Sequence, residues 1–186
     1  MEKDRTKWNR KFSDRSGELN EPEPFVVQAA DQLRPGSVLD LASGDGRNAV
    51  YLAAGGFSVC AVDISEVALK RLAQFAKARQ LPIQTRQMDL DETEDLDALG
   101  AFDNLLACHY KPAPDLLDRF PLLVRPGGMV ILCVFNLRQH HEHGFSLRYC
   151  AQDEEYLNSL PGFEVLQYEK MADNGAYLDG YLFRRK

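Results

Sequence analysis

The sequence of 186 residues holds no apolar run long enough to span a bilayer and opens on no hydrophobic segment, so a cytoplasmic protein without membrane partners is expected. No two of its four cysteines, Cys60, Cys108, Cys133 and Cys150, form a CxxC pair, and Cys60 and Cys133 fall inside apolar runs that read as buried strands. Reduced thiols follow, with no disulfide framework. Positive charge is also scarce: 22 Lys and Arg stand against 28 Asp and Glu, a net charge of -6. Such a surface repels a phosphate backbone, which excludes nucleic acid as the expected partner. The basic cluster Lys3, Arg5, Lys7, Arg10 and Lys11 is interleaved with Glu2, Asp4 and Asp14 and reads as a solvated arm. No internal repeat, low-complexity tract or nucleophile–base–acid constellation is present.

What is present is an alternation of strand and helix patterns. An arm over residues 1–24 precedes a domain over 25–186, which opens on a helical pattern of Phe25, Val26, Ala29, Ala30 and Leu33 stopped by Pro35-Gly36. Ser37 to Leu41 reads as a buried strand, followed by a small-residue turn, a helix over Arg47 to Ala54, and Gly55-Gly56 as its left-handed stop. Phe57 to Asp63 is a second strand, and Ser65 caps a helix carrying Val67, Leu69, Leu72, Phe75 and Ala76. Further strands are expected over Ile83 to Met88, Phe102 to Cys108 and Met129 to Phe135. Between them lie an acidic loop with a short helix, a helix split by Pro121, and a turn at Arg125-Pro-Gly-Gly128. Phe163 to Met171 and Tyr177 to Arg185 alternate around Asp173-Asn-Gly175 as an antiparallel hairpin at the sheet's edge. The fold class is therefore α/β: a Rossmann-like, mostly parallel seven-stranded sheet, helices on both faces, and a C-terminal antiparallel hairpin.

Ligands of open parallel sheets bind beyond the carboxyl ends of the strands, where the first three strands here finish at Asp40, Asp63 and Asp89. Gly44-Asp-Gly-Arg-Asn-Ala49 satisfies the GxGxxA pattern of nicotinamide enzymes, and Asp63 stands where a ribose-binding acid belongs, so an NAD(P)-dependent oxidoreductase is one reading. A dinucleotide, however, brings a pyrophosphate to this turn, and Asp40 and Asp45 would repel it. S-adenosylmethionine brings an ammonium and a sulfonium instead. Asp63 can then accept ribose hydroxyls, Asp89 the adenine amino group, and Gly44 and Gly46 allow close backbone approach.

Val38-Leu-Asp-Leu-Ala-Ser-Gly-Asp-Gly-Arg47 resembles the first motif of the class I methyltransferases, with Ala42 where that motif usually has glycine. Ala61-Val-Asp-Ile-Ser65, Met88-Asp-Leu90, Phe102-Asp-Asn-Leu-Leu106 and Leu123-Val-Arg-Pro-Gly-Gly128 resemble the later motifs in order. Trp8-Asn9, Arg47-Asn48 and His109-Tyr-Lys-Pro112 are similar to bacterial small-molecule methyltransferases of the tellurite-resistance and thiopurine type. The resemblance implies methyl transfer from S-adenosylmethionine to a small-molecule acceptor by in-line displacement. It implies a cofactor site of Trp8, Asp40, Leu41, Ala42, Ser43, Gly44, Asp45, Gly46, Arg47, Asp63, Ile64, Met88, Asp89, Leu90 and Ala107. Trp8 and Phe12 either fold over the cofactor as a lid or anchor the arm. His109 and Tyr110, at the reaction edge, are the candidate catalytic residues, either for proton transfer or as pocket wall. His140-His-Glu-His143 reads as a solvated loop rather than a metal site, and no metal is expected. A monomer or weak homodimer is anticipated, and a non-catalytic adenosyl-ligand-binding protein stands as a third functional reading.

Overall fold

The computed structural model describes residues 2–173 and 175–186. Chain order runs α1 (Glu2–Ser13), α2 (Pro24–Ala29), β1 (Ser37–Leu41), α3 (Arg47–Ala54), β2 (Ser58–Asp63), α4 (Glu66–Ala78), β3 (Ile83–Gln87) and β4 (Phe102–Cys108). It continues through α5 (Pro114–Leu117), α6 (Phe120–Leu123), β5 (Val124–Asn136), α7 (Leu137–His143), β6 (Cys150–Ala151), β7 (Phe163–Asp173) and β8 (Ala176–Arg185). The strands form one sheet in the order β3-β2-β1-β4-β5-β8-β7, with the two-residue β6 paired to β5 off that path. Pairings from β3 to β5 are parallel, and β8 runs antiparallel to both β5 and β7. The hairpin thus extends the sheet as expected, with β8 inside and β7 outermost; Asn174 of its turn lies outside the described residues.

Strict alternation sorts the strand side chains into two cores. Leu39, Leu41, Val62, Leu105, Ala107, Leu132 and Val134 face α5 and α6, while Val38, Val59, Ala61, Leu106, Cys108, Ile131 and Cys133 face α2, α3 and α4. Strands buried on both faces read as continuous apolar runs for this reason. Strand order reverses between β2-β1 and β4, and the carboxyl ends of β1 and β4 are where open sheets of this kind bind ligands in a crevice.

Several boundaries differ from the sequence reading. The arm is not merely solvated: α1 is helical, because Trp8 and Phe12 lie four apart on one face and Phe12 is buried. The break between α5 and α6 falls at Asp118-Arg119, so that Pro121 sits in the first turn of α6, where a missing N–H is tolerated. Residues 125–128 belong to β5, whose pairing with β4 shifts register between Phe102 and Asn104. The His140–His143 segment is helix α7, capped by the Asn136 side chain, rather than a loop.

Candidate functional site

The turn after β1 is built on left-handed backbone. Ala42, Gly44 and Gly46 have φ of 53°, 57° and 87°. Such values are costly for alanine, which explains why glycine is usual at position 42 in the resembling motif. A Cβ on Gly46 would meet the Leu72 side chain at 2.1 Å, and one on Gly44 would meet the Phe12 ring at 2.9 Å, so both positions demand glycine for space as well. The Ser43 N–H donates to the Val62 carbonyl at 3.0 Å, and the Gly44 N–H donates to Asp63 Oδ2 at 2.8 Å, which ties the turn to the end of β2.

The acids sit as follows. Asp40 lies inside β1, one residue before its end, and is 2% exposed; its Oδ2 has no hydrogen-bond partner among the described residues. Burial, then the charge of Asp63, pushes its carboxyl up to about 8 against a partial offset from Arg47. Asp63 ends β2 and accepts from the Gly44 and Ser65 amides at 2.8 Å each; burial outweighs these bonds and holds its carboxyl above the usual range. Asp89 lies two residues beyond β3, and its Oδ1 accepts from the Asp91 N–H at 3.1 Å. Asp45 is paired with Arg15 at 2.7 Å and Arg71 at 3.4 Å. Its charge is therefore compensated, and Asp40, protonated below about pH 8, would repel a pyrophosphate only when ionised.

Leu41 and Ala107 are fully buried in the core facing α5 and α6, where Leu90 joins them and Met88 and Ala42 pack against it. The Ile64 carbonyl accepts from the Gln87 side chain at 3.2 Å. Ser43 Oγ is buried, also without a partner among the described residues. Trp8 stands further out, with the ammonium groups of Lys11 and Lys7 at 4.5 and 5.3 Å from its ring centroid.

The two candidate catalytic residues part company. Tyr110 packs against the core facing α5 and α6, and burial, with the charges of Asp91 and Asp89 adding to it, holds its hydroxyl protonated well above the usual phenol range. His109 has φ of 58°, and its Nε2 is 2.7 Å from Glu23 Oε2. Arg47 reaches the same Glu23 oxygen at 2.7 Å, and its charge also bears on Asp40. Glu23 is a residue the sequence reading missed. Its only signal is its position in Pro-Glu-Pro at the end of a polar arm, yet it is 3% exposed.

Also unforeseen is how α1 closes over the turn. Asn9 Oδ1 accepts from Ser65 Oγ at 2.7 Å, Phe12 covers Gly44, Arg15 pairs with Asp45, and Lys7 Nζ donates to the Tyr149 hydroxyl at 3.1 Å. Beyond His109, an aromatic series continues through Phe135 and Phe145, with ring centroids 4.7 and 4.6 Å apart in turn, to Tyr149. In α7, His140 Nδ1 lies 2.6 Å from the Phe145 carbonyl oxygen, and His143 stacks on Tyr177. Among the described residues, no three His, Cys, Asp or Glu side chains are grouped to hold a metal.

The residues fit S-adenosylmethionine by one test that the structure itself provides. A buried carboxyl with an unpartnered oxygen lacks a hydrogen-bond donor, and a cation with N–H donors would both supply one and favour its ionised form, which the methionine ammonium does and a pyrophosphate does not.

A family model described as tellurite resistance protein TehB matches residues 8–174. Among curated proteins, hemagglutinin 1 of Eikenella corrodens is 26% identical over 149 residues, covering 78% of this chain and 49% of that protein. The putative methyltransferase YqeM of Bacillus subtilis is 30% identical over 128 residues, covering 64% and 51%. The chain thus spans about half the length of the curated relatives it matches. Among solved structures, TehB from Haemophilus influenzae superposes with a TM-score of 0.73 at 19% identity, covering 96% of this chain and 67% of the other. The 1,6-didemethyltoxoflavin-N1-methyltransferase of Burkholderia thailandensis, solved with 1,6-didemethyltoxoflavin and S-adenosylhomocysteine, gives 0.71 at 22%, covering 99% and 86%.

Proposed function

Because the chain belongs to the TehB tellurite resistance protein family, we propose that it transfers the methyl group of S-adenosylmethionine to a small-molecule acceptor. One observation carries the cofactor assignment: the buried, unpartnered carboxylate of Asp40 beside a left-handed glycine turn. The small-molecule acceptor is supported by the acidic net charge and by the ligand of the Burkholderia enzyme.

Asp40 would hold the cofactor's ammonium, with Ser43 and the backbone of Gly44 and Gly46 beside the methionine portion. Asp63 would take the ribose hydroxyls with the acceptor capacity its two oxygens keep beyond the bonds from the Gly44, Ile64 and Ser65 amides. Asp89 would meet the adenine amino group. Leu41, Ala42, Ile64, Met88, Leu90 and Ala107 would wall the site, and residues 1–24, with Trp8 and Phe12, would close it. Asp45 acts at one remove, holding the arm through Arg15. When bound, S-adenosylmethionine supplies a methyl carbon whose leaving group is a neutral thioether. The chain's contribution is to align the acceptor and exclude water, effects that can supply about 7–11 kcal/mol in well-oriented systems.

Calorimetry with S-adenosylmethionine, S-adenosylhomocysteine and NAD tests the reading. Binding of the two adenosyl ligands, weakened by about 1–3 kcal/mol in Asp63→Ala through lost charge-assisted hydrogen bonds, is expected. Tight NAD binding without response to the others would replace this reading with the oxidoreductase. Cofactor binding without demethylated product across thiol, oxyanion and amine acceptors would favour a sensor.

A further inference from the structure

We propose that Glu23 and His109 form a proton-accepting pair at the reaction edge, so that the acceptor attacks through an atom that must shed a proton, an OH, SH or NH group, rather than as a proton-free oxyanion. The proposal rests on the methyltransferase reading above and adds its substrate class.

The geometry specifies which nitrogen is free. Glu23 Oε2 lies 2.7 Å from His109 Nε2, and a carboxylate only accepts, so Nε2 carries the hydrogen and the lone pair of the neutral ring is on Nδ1. Arg47 stands 3.0 Å from the same Nε2, but both are donors; they converge on the Glu23 oxygen rather than bonding one another. Burial raises the Glu23 carboxyl, and His109 and Arg47 more than reverse this, so it stays ionised. Its backbone N–H donates to Asn48 Oδ1 at 2.8 Å, which fixes it from α3. His109 is held in turn by its own N–H to the Cys133 carbonyl at 2.7 Å, in a left-handed conformation that few residues adopt, and its ring lies against Phe135. Its side chain is one-third exposed at the end of β4, beside the crevice.

Glu23 and Arg47 on α3 are the charged groups against the ring; Arg47 also bears on Asp40 of β1, and Glu23 and Asp40 bear on the Cys108 thiol of β4, which Cys133 of β5 contacts. Burial keeps the Cys108 thiol protonated, so it does not compete as a base. In the reaction, the acceptor's proton passes to Nδ1 while the acceptor's lone pair forms the new bond to the methyl carbon. The pair of the broken carbon–sulfur bond stays with sulfur, and the imidazolium, balanced by Glu23, then releases its proton to water. His109 would thus be the catalytic residue and Glu23 the positioning residue.

The test uses the full chain and three probe acceptors: 2-mercaptoethanol, protonated near neutral pH; 4-nitrothiophenol, already ionised; and selenite, an oxyanion whose attacking selenium lone pair bears no proton. With 2-mercaptoethanol, His109→Asn should lose about 100-fold or more, the lower range for general base catalysis. Its loss with 4-nitrothiophenol should be at least about tenfold smaller on the same scale. Glu23→Gln should fall between, Glu23→Asp should restore part of the rate, and nitrogen-15 shifts of the His109 ring should report Nε2–H in the parent and a changed tautomer in Glu23→Gln. Equal losses on both thiols, an Nδ1–H parent ring, turnover of selenite but of neither thiol, or turnover of no probe would each overturn the pair. Calorimetry with S-adenosylhomocysteine runs alongside: a parent chain that does not bind it refutes the methyltransferase reading itself, and variants that bind it normally have folded.

Discussion

At the scale of single residues, the site is built from groups that cost stability. Asp40 is the clearest: its carboxyl is near 3.8 when solvated and about 8 in the fold. Between those values the folded chain holds a proton that the unfolded chain releases, so folding weakens as pH rises from about 4 to about 8, and the penalty is complete above that. Asp40→Asn does not titrate. Denaturant unfolding without ligand should therefore find it more stable than the parent at pH 8, with the gap closing near pH 4. The same variant should bind S-adenosylhomocysteine more weakly, whereas parent affinity should rise with pH toward 8 as the carboxyl ionises. Matching pH dependence in parent and variant would show that Asp40 keeps an ordinary pKa. Ala42 carries a second local cost, since its φ of 53° suits glycine.

At the scale of elements, α1 is the part the sequence concealed. Its apolar face is two aromatic residues, Trp8 and Phe12, in a segment otherwise dominated by charge, so no sustained periodicity announces a packed helix. What orders it is tertiary: Phe12 against Gly44, Asn9 on Ser65, Arg15 on Asp45. Phe12→Ala should free the arm and speed proteolysis between residues 14 and 20 several-fold, with S-adenosylhomocysteine restoring protection. An unchanged cleavage rate would mean that the polar contacts suffice. The core strands, by contrast, were legible because burial on both faces leaves unbroken apolar runs, and the cap at Ser65 and the stop at Gly55-Gly56 mark helix ends by local chemistry. Glu23 was not legible: its partners Arg47 and His109 are distant in the chain and meet only through the fold.

At the scale of the whole molecule, the strand order places the carboxyl ends of five parallel strands side by side, with the order reversing between β1 and β4, where such sheets take their ligands. That architecture is shared by proteins of many functions, so specificity comes from what lines the edge. Here that lining is the buried acid Asp40, whose Oδ2 has no hydrogen-bond partner among the described residues, with Asp63 and Asp89 further along and a histidine–glutamate–arginine cluster on the other side. The most direct test is a crystal structure of the chain with S-adenosylhomocysteine. The account predicts the ligand's ammonium against Asp40, its ribose at Asp63 and its sulfur beside His109; an amino acid portion seated away from Asp40, or an adenosine lying outside this crevice, would contradict it.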